Sequence, residues 1–295
     1  MSEHVLNHET LPGLYQSADA ASLGAQSVYF NSLKLYLFLL IAAALVSFAW
    51  PTDSYGAMAS ASLFLITLGI LIYLRVNRPD DIWYNGRAVA ESVKTRTWRW
   101  VMRAEPYEDT DNIERVSKQF INDLKAILNQ NRSLSKAMES SVGGLEAPIS
   151  DAMTSIRRLS VEERLALYQD QRIDNQANWY SKKSQFNKRK SKQWFWVSVA
   201  LHAVAIAILL YRIKDPLFSL PVESVAVAAG AVLTWLQAKK HNELNSSYAL
   251  AAHEIVLIKG ESLGVKTEKN LSTFVLDSEN AFSREHTQWT ARKAE

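Results

Sequence analysis

Four apolar windows, at residues 33–50, 57–74, 194–211 and 217–236, constrain this chain more than any other feature. Together they contain two charged residues, Lys34 and Glu223, out of 33 Lys+Arg and 30 Asp+Glu in a 295-residue sequence. The rest of the chain therefore carries charge at about the usual soluble density of roughly a quarter. An 18-residue helix rises about 27 Å, close to the roughly 30 Å hydrocarbon core of a bilayer. The chain thus reads as an all-α membrane protein with two transmembrane helical hairpins (four spans), whose long cytoplasmic helices form a bundle or stalk.

The windows differ in quality. Ser47 is the only polar side chain between Leu35 and Trp50, and the second window is uncharged up to Arg75. In the third, Ser198 and His202 are the only non-apolar interior residues. The fourth is the weakest, because Ser219, Pro221, Glu223 and Ser224 crowd its start. Trp50, Trp194, Trp196 and Trp235 sit at window ends, where an indole keeps its ring in the headgroup zone and its N–H wet. Six residues, 51–56, join the first pair and five, 212–216, join the second. Connections that short permit only antiparallel neighbours.

Orientation follows from the basic residues near the span ends. The hairpin tips hold only Arg212 and Lys214, whereas the opposite side holds Lys34, Arg75, Arg78, Arg87, Lys182, Lys183, Lys188, Arg189, Lys190, Lys192, Lys239 and Lys240. Both termini and the long 75–193 segment are expected in the cytoplasm. The first 32 residues lack the basic-then-apolar pattern of a secretory signal, so 33–50 reads as a retained anchor. The absence of cysteine excludes a disulfide framework and Cys-based zinc sites, and a net charge of +3 is too small to suggest nucleic-acid binding.

Long stretches without glycine or proline predict long cytoplasmic helices. Asp111 with Glu114 marks one helix start, and Ser160 with Glu163 forms a capping box at another. Apolar stripes follow at helical spacing: Ile113, Val116, Phe120, Leu124, Ile127 and Leu128 after the first start, and Leu165, Tyr168, Trp179 and Phe186 after the second. The second helix is expected to run from Val161 into the third span. Leu244, Tyr248, Ala252, Ile255 and Ile258 continue the fourth span as far as Gly260, and a last helix at about 271–292 spaces Val275, Phe282 and Trp289 evenly. Gly143-Gly144, with Pro148 close behind, divides the chain into a first two-transmembrane domain (1–142), a linker (143–150) and a second such domain (151–295).

No enzyme signature is found, and no cofactor or metal is expected. The segment from Gly260 to Thr267 has three residues between its glycines and Val265 ahead of Lys266, which departs from a phosphate-binding loop. His253-Glu254 lacks the second histidine of a helical zinc pair. His202 is the one ionisable residue near mid-span. It is either a neutral histidine hydrogen-bonded within the bundle or a pore-facing group with Ser198 one turn earlier. Glu223 is either solvated or part of an acidic ring at a pore mouth. Ala226, Gly230 and Thr234 form a small-residue face suited to close helix contact.

The segment Trp83-Tyr-Asn-Gly86-Arg87-Ala-Val-Ala-Glu91-Ser-Val-Lys94-Thr-Arg-Thr-Trp98-Arg99-Trp100-Val-Met-Arg103-Ala-Glu105-Pro106-Tyr107 follows directly on the second window. It resembles a block of the SLATT family, the SMODS- and SLOG-associating two-transmembrane effector domains. Leu11-Pro12-Gly13-Leu14-Tyr15 with Tyr29 agrees with it. Tyr168-x-x-x-Arg172, Asp174-Asn-Gln-Ala-Asn-Trp179-Tyr180 and Phe282-Ser-Arg284-Glu285-His286-Thr-Gln288-Trp289 look like a second copy, so nearly the whole chain resembles two such domains fused.

The resemblance implies a membrane effector that permeabilises the bacterial inner membrane in anti-phage conflict; because the spans are too apolar for one chain to line an aqueous channel, a homo-oligomer is expected. Its activator would be a cytoplasmic partner such as a nucleotide-second-messenger or sensor component. Conduction is implied by the resemblance alone, and a non-conducting scaffold or adaptor is the alternative. No catalytic residues are implied. Read physically, Arg87, Glu91 and Lys94 can pair along one helix face, and Arg96, Arg99 and Arg103 recur beside Trp98 and Trp100. Such a basic, aromatic helix suits anionic headgroups, a neighbouring stalk or an anionic signal.

Overall fold

The computed structural model describes residues 5–109, 111–139, 147–215 and 219–291. These residues are helical almost throughout and include no strand. The helices are α1 (Gly13–Ala49), α2 (Ser54–Asn77), α3 (Pro79–Val101), α4 (Ile113–Gln130), α5 (Ser135–Glu139), α6 (Asp151–Arg157), α7 (Val161–Tyr168), α8 (Asn175–Lys214), α9 (Val222–Lys239), α10 (His241–Glu261) and α11 (Glu268–Ala291). A π-helical turn, Gln169–Asp174, joins α7 to α8, so the expected unbroken rod from Val161 to Lys214 is present with one local change of winding. The Gly143-Gly144 boundary and the first residues of the fourth window lie outside the described residues.

The chain divides into two compact units, and the division cuts across the two sequence halves. One unit comprises Ser27–Arg78 and Ser181–Ala249 and holds the apolar windows. Three helical stretches, Gly13–Ala49, Ser54–Val101 and Val161–Lys214, are long and apolar enough to cross a membrane. At most 11% of the residues in each apolar 18-residue window are buried. Side chains such as Phe38, Phe64, Leu65, Ile206 and Leu210 are more than half exposed. A soluble domain does not leave surface of that extent bare, so these helices need lipid or further copies of the chain to cover them. Of the described part of the fourth window, Ser219 and Leu220 are not helical, and α9 begins at Val222 with Pro221 at its N-cap.

The first hairpin is closed by its sequence. Asp53 caps α2 by accepting from the Gly56 N–H. A Cβ on Gly56 would lie 2.8 Å from the Trp50 carbonyl oxygen, so only glycine fits the return. Small residues then let the two helices meet: Ser60 is buried against Ala43, with Ser47 and Ser60 hydroxyls 3.1 Å apart. Helix α2 ends where Arg78 takes a left-handed conformation (φ 43°) and Pro79 opens α3.

The other unit, comprising Met1–Gln26, Pro79–Tyr180 and Leu250–Glu295, is a conventional packed core. Helix α3 is its centre and packs against α11, α4 and α6. Val89, Ala90, Val93, Trp98, Trp100 and Val101 are all almost fully buried. Of the α4 stripe, Val116, Phe120 and Leu124 face this core, whereas Ile113 and Leu128 are exposed. The α4 cap is Asn112, one residue later than the Asp111 start expected, because Asp109 takes the Asp111 and Asn112 amides and winds a turn first. The Ser160–Glu163 capping box forms as expected. Tyr168 and Ile255 are buried as their stripes require, while Phe186 is exposed.

Candidate functional site

Helix α3 carries the segment richest in recognisable spacing, and the structure explains several of its residues by what they touch. Gly86 lies where α3 meets α1: a Cβ there would stand 3.0 Å from the Ala18 carbonyl oxygen and 3.1 Å from the Ser22 Cβ. The Ser22 hydroxyl donates to the Trp83 carbonyl at 2.9 Å, so the crossing is bonded as well as tight. Arg87 pairs with Glu91 at 2.6 Å and lies 3.6 Å from Asp19, the face pairing expected from spacing. Burial disfavours the Arg87 cation, but Glu91 and Asp19 outweigh it and hold its pKa above the ordinary value. Half-buried Lys94 is shifted down by burial, against the pull of Glu91. The Tyr15 phenol is pushed up to about 12 by burial and then by the charges of Asp19 and Glu91.

Trp98, Arg99 and Trp100 are buried, because α3 sits between three helices. Two guanidinium groups of the segment bond within the unit. Arg99 donates to Asn280 at 2.6 Å, and Arg103 donates to the Arg157 carbonyl at 2.8 Å and to Glu268 at 3.1 Å. Glu105 is exposed, but its backbone N–H donates to the Ser272 hydroxyl.

The C-terminal end of α3 is closed by arginines from elsewhere in the chain. Arg157 donates to the carbonyls of Trp100, Tyr107 (2.8 Å) and Asp109 (3.0 Å), with its guanidinium 4.9 Å from the Trp100 ring centre. Arg164 donates to the Met102 carbonyl at 2.7 Å and to Glu268. The last carbonyls of a helix lack internal partners and carry its negative dipole end, so buried cations are well placed there. Burial, then Arg103 and Arg164 nearby, lower the Arg157 pKa to about 10.

Glu279 on α11 is fully buried, at 0% exposure. Its carboxylate accepts two bonds from Arg172 (2.8 and 2.7 Å), one from the Tyr168 hydroxyl (2.9 Å) and one from the Thr95 hydroxyl (2.9 Å). Arg172 comes from the π-helical turn, is 1% exposed and lies over the Phe282 ring at 4.7 Å. Burial works against the Arg172 cation, but Glu279 overcomes it and raises the pKa; burial and the same carboxylate raise that of Tyr168. This network joins α3, the π turn and α11. The sequence placed Tyr168 in an apolar stripe and Arg172 only within the second SLATT-like segment, and gave no role to Glu279, Arg157 or Arg164. One signal was available: Glu279 falls between Val275 and Phe282 on the apolar face of its helix.

The residues expected to face a pore lie in the other unit. His202 is exposed on α8, with Nδ1 2.7 Å from the Ser198 carbonyl oxygen, so its own helix satisfies one ring nitrogen. Thr234 is exposed and donates to the Gly230 carbonyl at 3.0 Å. Ala226 and Gly230 are exposed with it, and Glu223 is exposed in the first turn of α9. The structure brings Ser198 and His202 together, and separately Gly230 and Thr234. No His, Asp or Glu grouping suited to a metal ion occurs among the described residues.

Residues 12–165 match the family model described as SMODS and SLOG-associating 2TM effector domain 3, and residues 168–289 match that described as SMODS and SLOG-associating 2TM effector domain 1. No curated protein and no solved structure matches the chain.

Proposed function

Because the chain belongs to the SLATT family of two-transmembrane effector domains, in two tandem copies, we propose that this membrane effector is a gated pore former of the bacterial inner membrane. It acts in anti-phage defence, crosses the membrane four times with both termini in the cytoplasm, and assembles from several identical chains. The observation that carries this reading is the bareness of the apolar helices, with at most 11% of each window buried. One chain cannot line a water path with side chains so apolar. Several chains can set their Ser198/His202 faces, or the Ala226, Gly230 and Thr234 faces, towards a common axis. A cytoplasmic trigger shifts the packed helical unit and favours an open state already accessible to the assembly.

The reading is tested with purified protein in dye-loaded liposomes, with the native trigger added. Release of dye or ions supports it, and tight vesicles in the presence of the trigger refute it. Replacement of His202 by Leu and by Arg then assigns the path: unaltered conductance in both variants removes that residue from it.

A second reading, a non-conducting scaffold or adaptor, draws on one observation. Leu250, Val256 and Leu257 on α10, and Leu263 just beyond it, are 61–88% exposed and form apolar surface outside the windows. That surface suits recruitment of a cytoplasmic protein. On this reading overexpression is not toxic and vesicles stay sealed.

A further inference from the structure

A cluster at one end of the apolar helices has no part in the function proposed above. Lys34 on α1 and Lys239 in the last turn of α9 stand over the same aromatic floor. The Lys239 ammonium is 3.2 Å from the Phe30 ring centre and 5.1 Å from that of Trp235; the Lys34 ammonium is 5.7 Å from that of Trp235. Phe30 meets Trp235 edge-to-face at 5.9 Å, and Trp194 meets Trp235 at 6.2 Å, so α1, α8 and α9 all contribute.

The cluster is positively charged without compensation. Lys34 has Asn31 as a neutral oxygen partner at 3.4 Å, and neither lysine has a carboxylate within 4.0 Å among the described residues. Lys190 on α8 and His241 on α10 lie near the same end, adding a cation and a titratable ring and no acid. Burial and then Lys34 lower the Lys239 pKa to about 8, and no anion pulls it back. The Trp235 indole N–H is buried in this cluster with no acceptor. Aromatic faces offset part of the cost of two neighbouring ammonium ions, but they do not neutralise them. Next to the floor the surface turns apolar: Phe38, one turn on from Lys34, is 66% exposed, and Trp196, two residues on from Trp194, is 58% exposed.

We propose that Lys34 and Lys239 hold the phosphate of an anionic phospholipid, whose acyl chains run along the exposed apolar surface beside Phe38. The proposal requires the membrane setting but not conduction, so a sealed vesicle leaves it standing. An amphiphile fits both halves of the site: a phosphodiester answers the two cations, and hydrocarbon covers the adjoining side chains. A free phosphate answers only the first.

The test uses the full chain, delipidated in a non-ionic detergent, with bound lipid counted by native mass spectrometry. The probes are phosphatidylglycerol, phosphatidylcholine of equal chain length, and inorganic phosphate as competitor. The native protein is expected to retain phosphatidylglycerol in preference to phosphatidylcholine, and millimolar phosphate is expected not to displace it. The K34Q/K239Q variant is expected to bind phosphatidylglycerol about 30-fold more weakly, which is about 2 kcal/mol for two lysine contacts. K188Q/K192Q, which changes exposed lysines on α8 shortly before Trp194, should bind as the native protein does, and K34R/K239R should retain binding. Equal retention of the two lipids by the native protein, which needs no variant, overturns the proposal. So does unchanged binding by K34Q/K239Q, or full displacement of the lipid by phosphate.

Discussion

Replacing Glu279 with Gln tests the packed unit at its most sensitive point. The carboxylate accepts four hydrogen bonds at 0% exposure. A glutamine keeps one acceptor oxygen and turns an NH2 towards Arg172, a guanidinium that cannot escape by losing its proton. Removing one partner of a buried pair costs about 3–5 kcal/mol, because the other charge remains in a dry setting. Total stabilities are about 5–15 kcal/mol, so much of the margin goes. The effect is read by hydrogen exchange along α11 in the full chain, where 3 kcal/mol corresponds to more than about 100-fold faster exchange. Replacing the whole network with apolar residues (Thr95→Val, Tyr168→Phe, Arg172→Met, Glu279→Leu) should recover most of the loss, since no buried charge or hydroxyl then lacks a partner. Exchange in E279Q within threefold of the native protein refutes the reasoning, as does a fourfold variant less protected than E279Q.

Other expectations are narrower. Gly86→Ala places a Cβ 3.0 Å from the Ala18 backbone oxygen and should lower thermal stability by about 1–3 kcal/mol. Gly24→Ala on α1, with nothing within 4 Å, should be neutral or raise it by up to about 1 kcal/mol in the same melt. Ser160→Ala removes a formed capping box and should cost about 1 kcal/mol, seen as faster amide exchange in the first turn of α7. Lys239, lowered from 10.5 to about 8, binds its proton less tightly folded than unfolded. Its strain is therefore fully present below about pH 8 and is relieved as pH rises towards 10.5. In detergent without anionic lipid it should be acetylated ahead of Lys240 at pH 8.5, as mass spectrometry of the peptides can show.

What the sequence disclosed was local. Three of the apolar windows, the Ser160–Glu163 box and the Arg87–Glu91 spacing depend on neighbours within one or two turns, and each took the form expected. The start expected at Asp111 shifted by one residue: Asn112 accepts the Arg115 N–H as the cap, while Asp109, a short acid just ahead, accepts the amides of Asp111 and Asn112. Trp98 and Trp100 alternate with charged residues, and the sequence alone left headgroups, a neighbouring stalk and an anionic signal all open for that face. Their burial follows from three helices converging on α3, which no periodicity along a single helix reveals. The same holds for Arg172 and Glu279, 107 residues apart, whose pairing is a fact of tertiary structure alone. For the pore-facing candidates, spacing disclosed that Ser198 and His202 share a face but not what that face meets.

The bonds from Thr95 to Glu279, Arg99 to Asn280, and Arg103 and Arg164 to Glu268 each run from one family-matched half of the chain to the other. Each half thus holds part of the other's interior. If the chain were severed between residues 165 and 168, each fragment would expose groups shaped for a dry neighbour it no longer had. The loss of either half should therefore unfold the other.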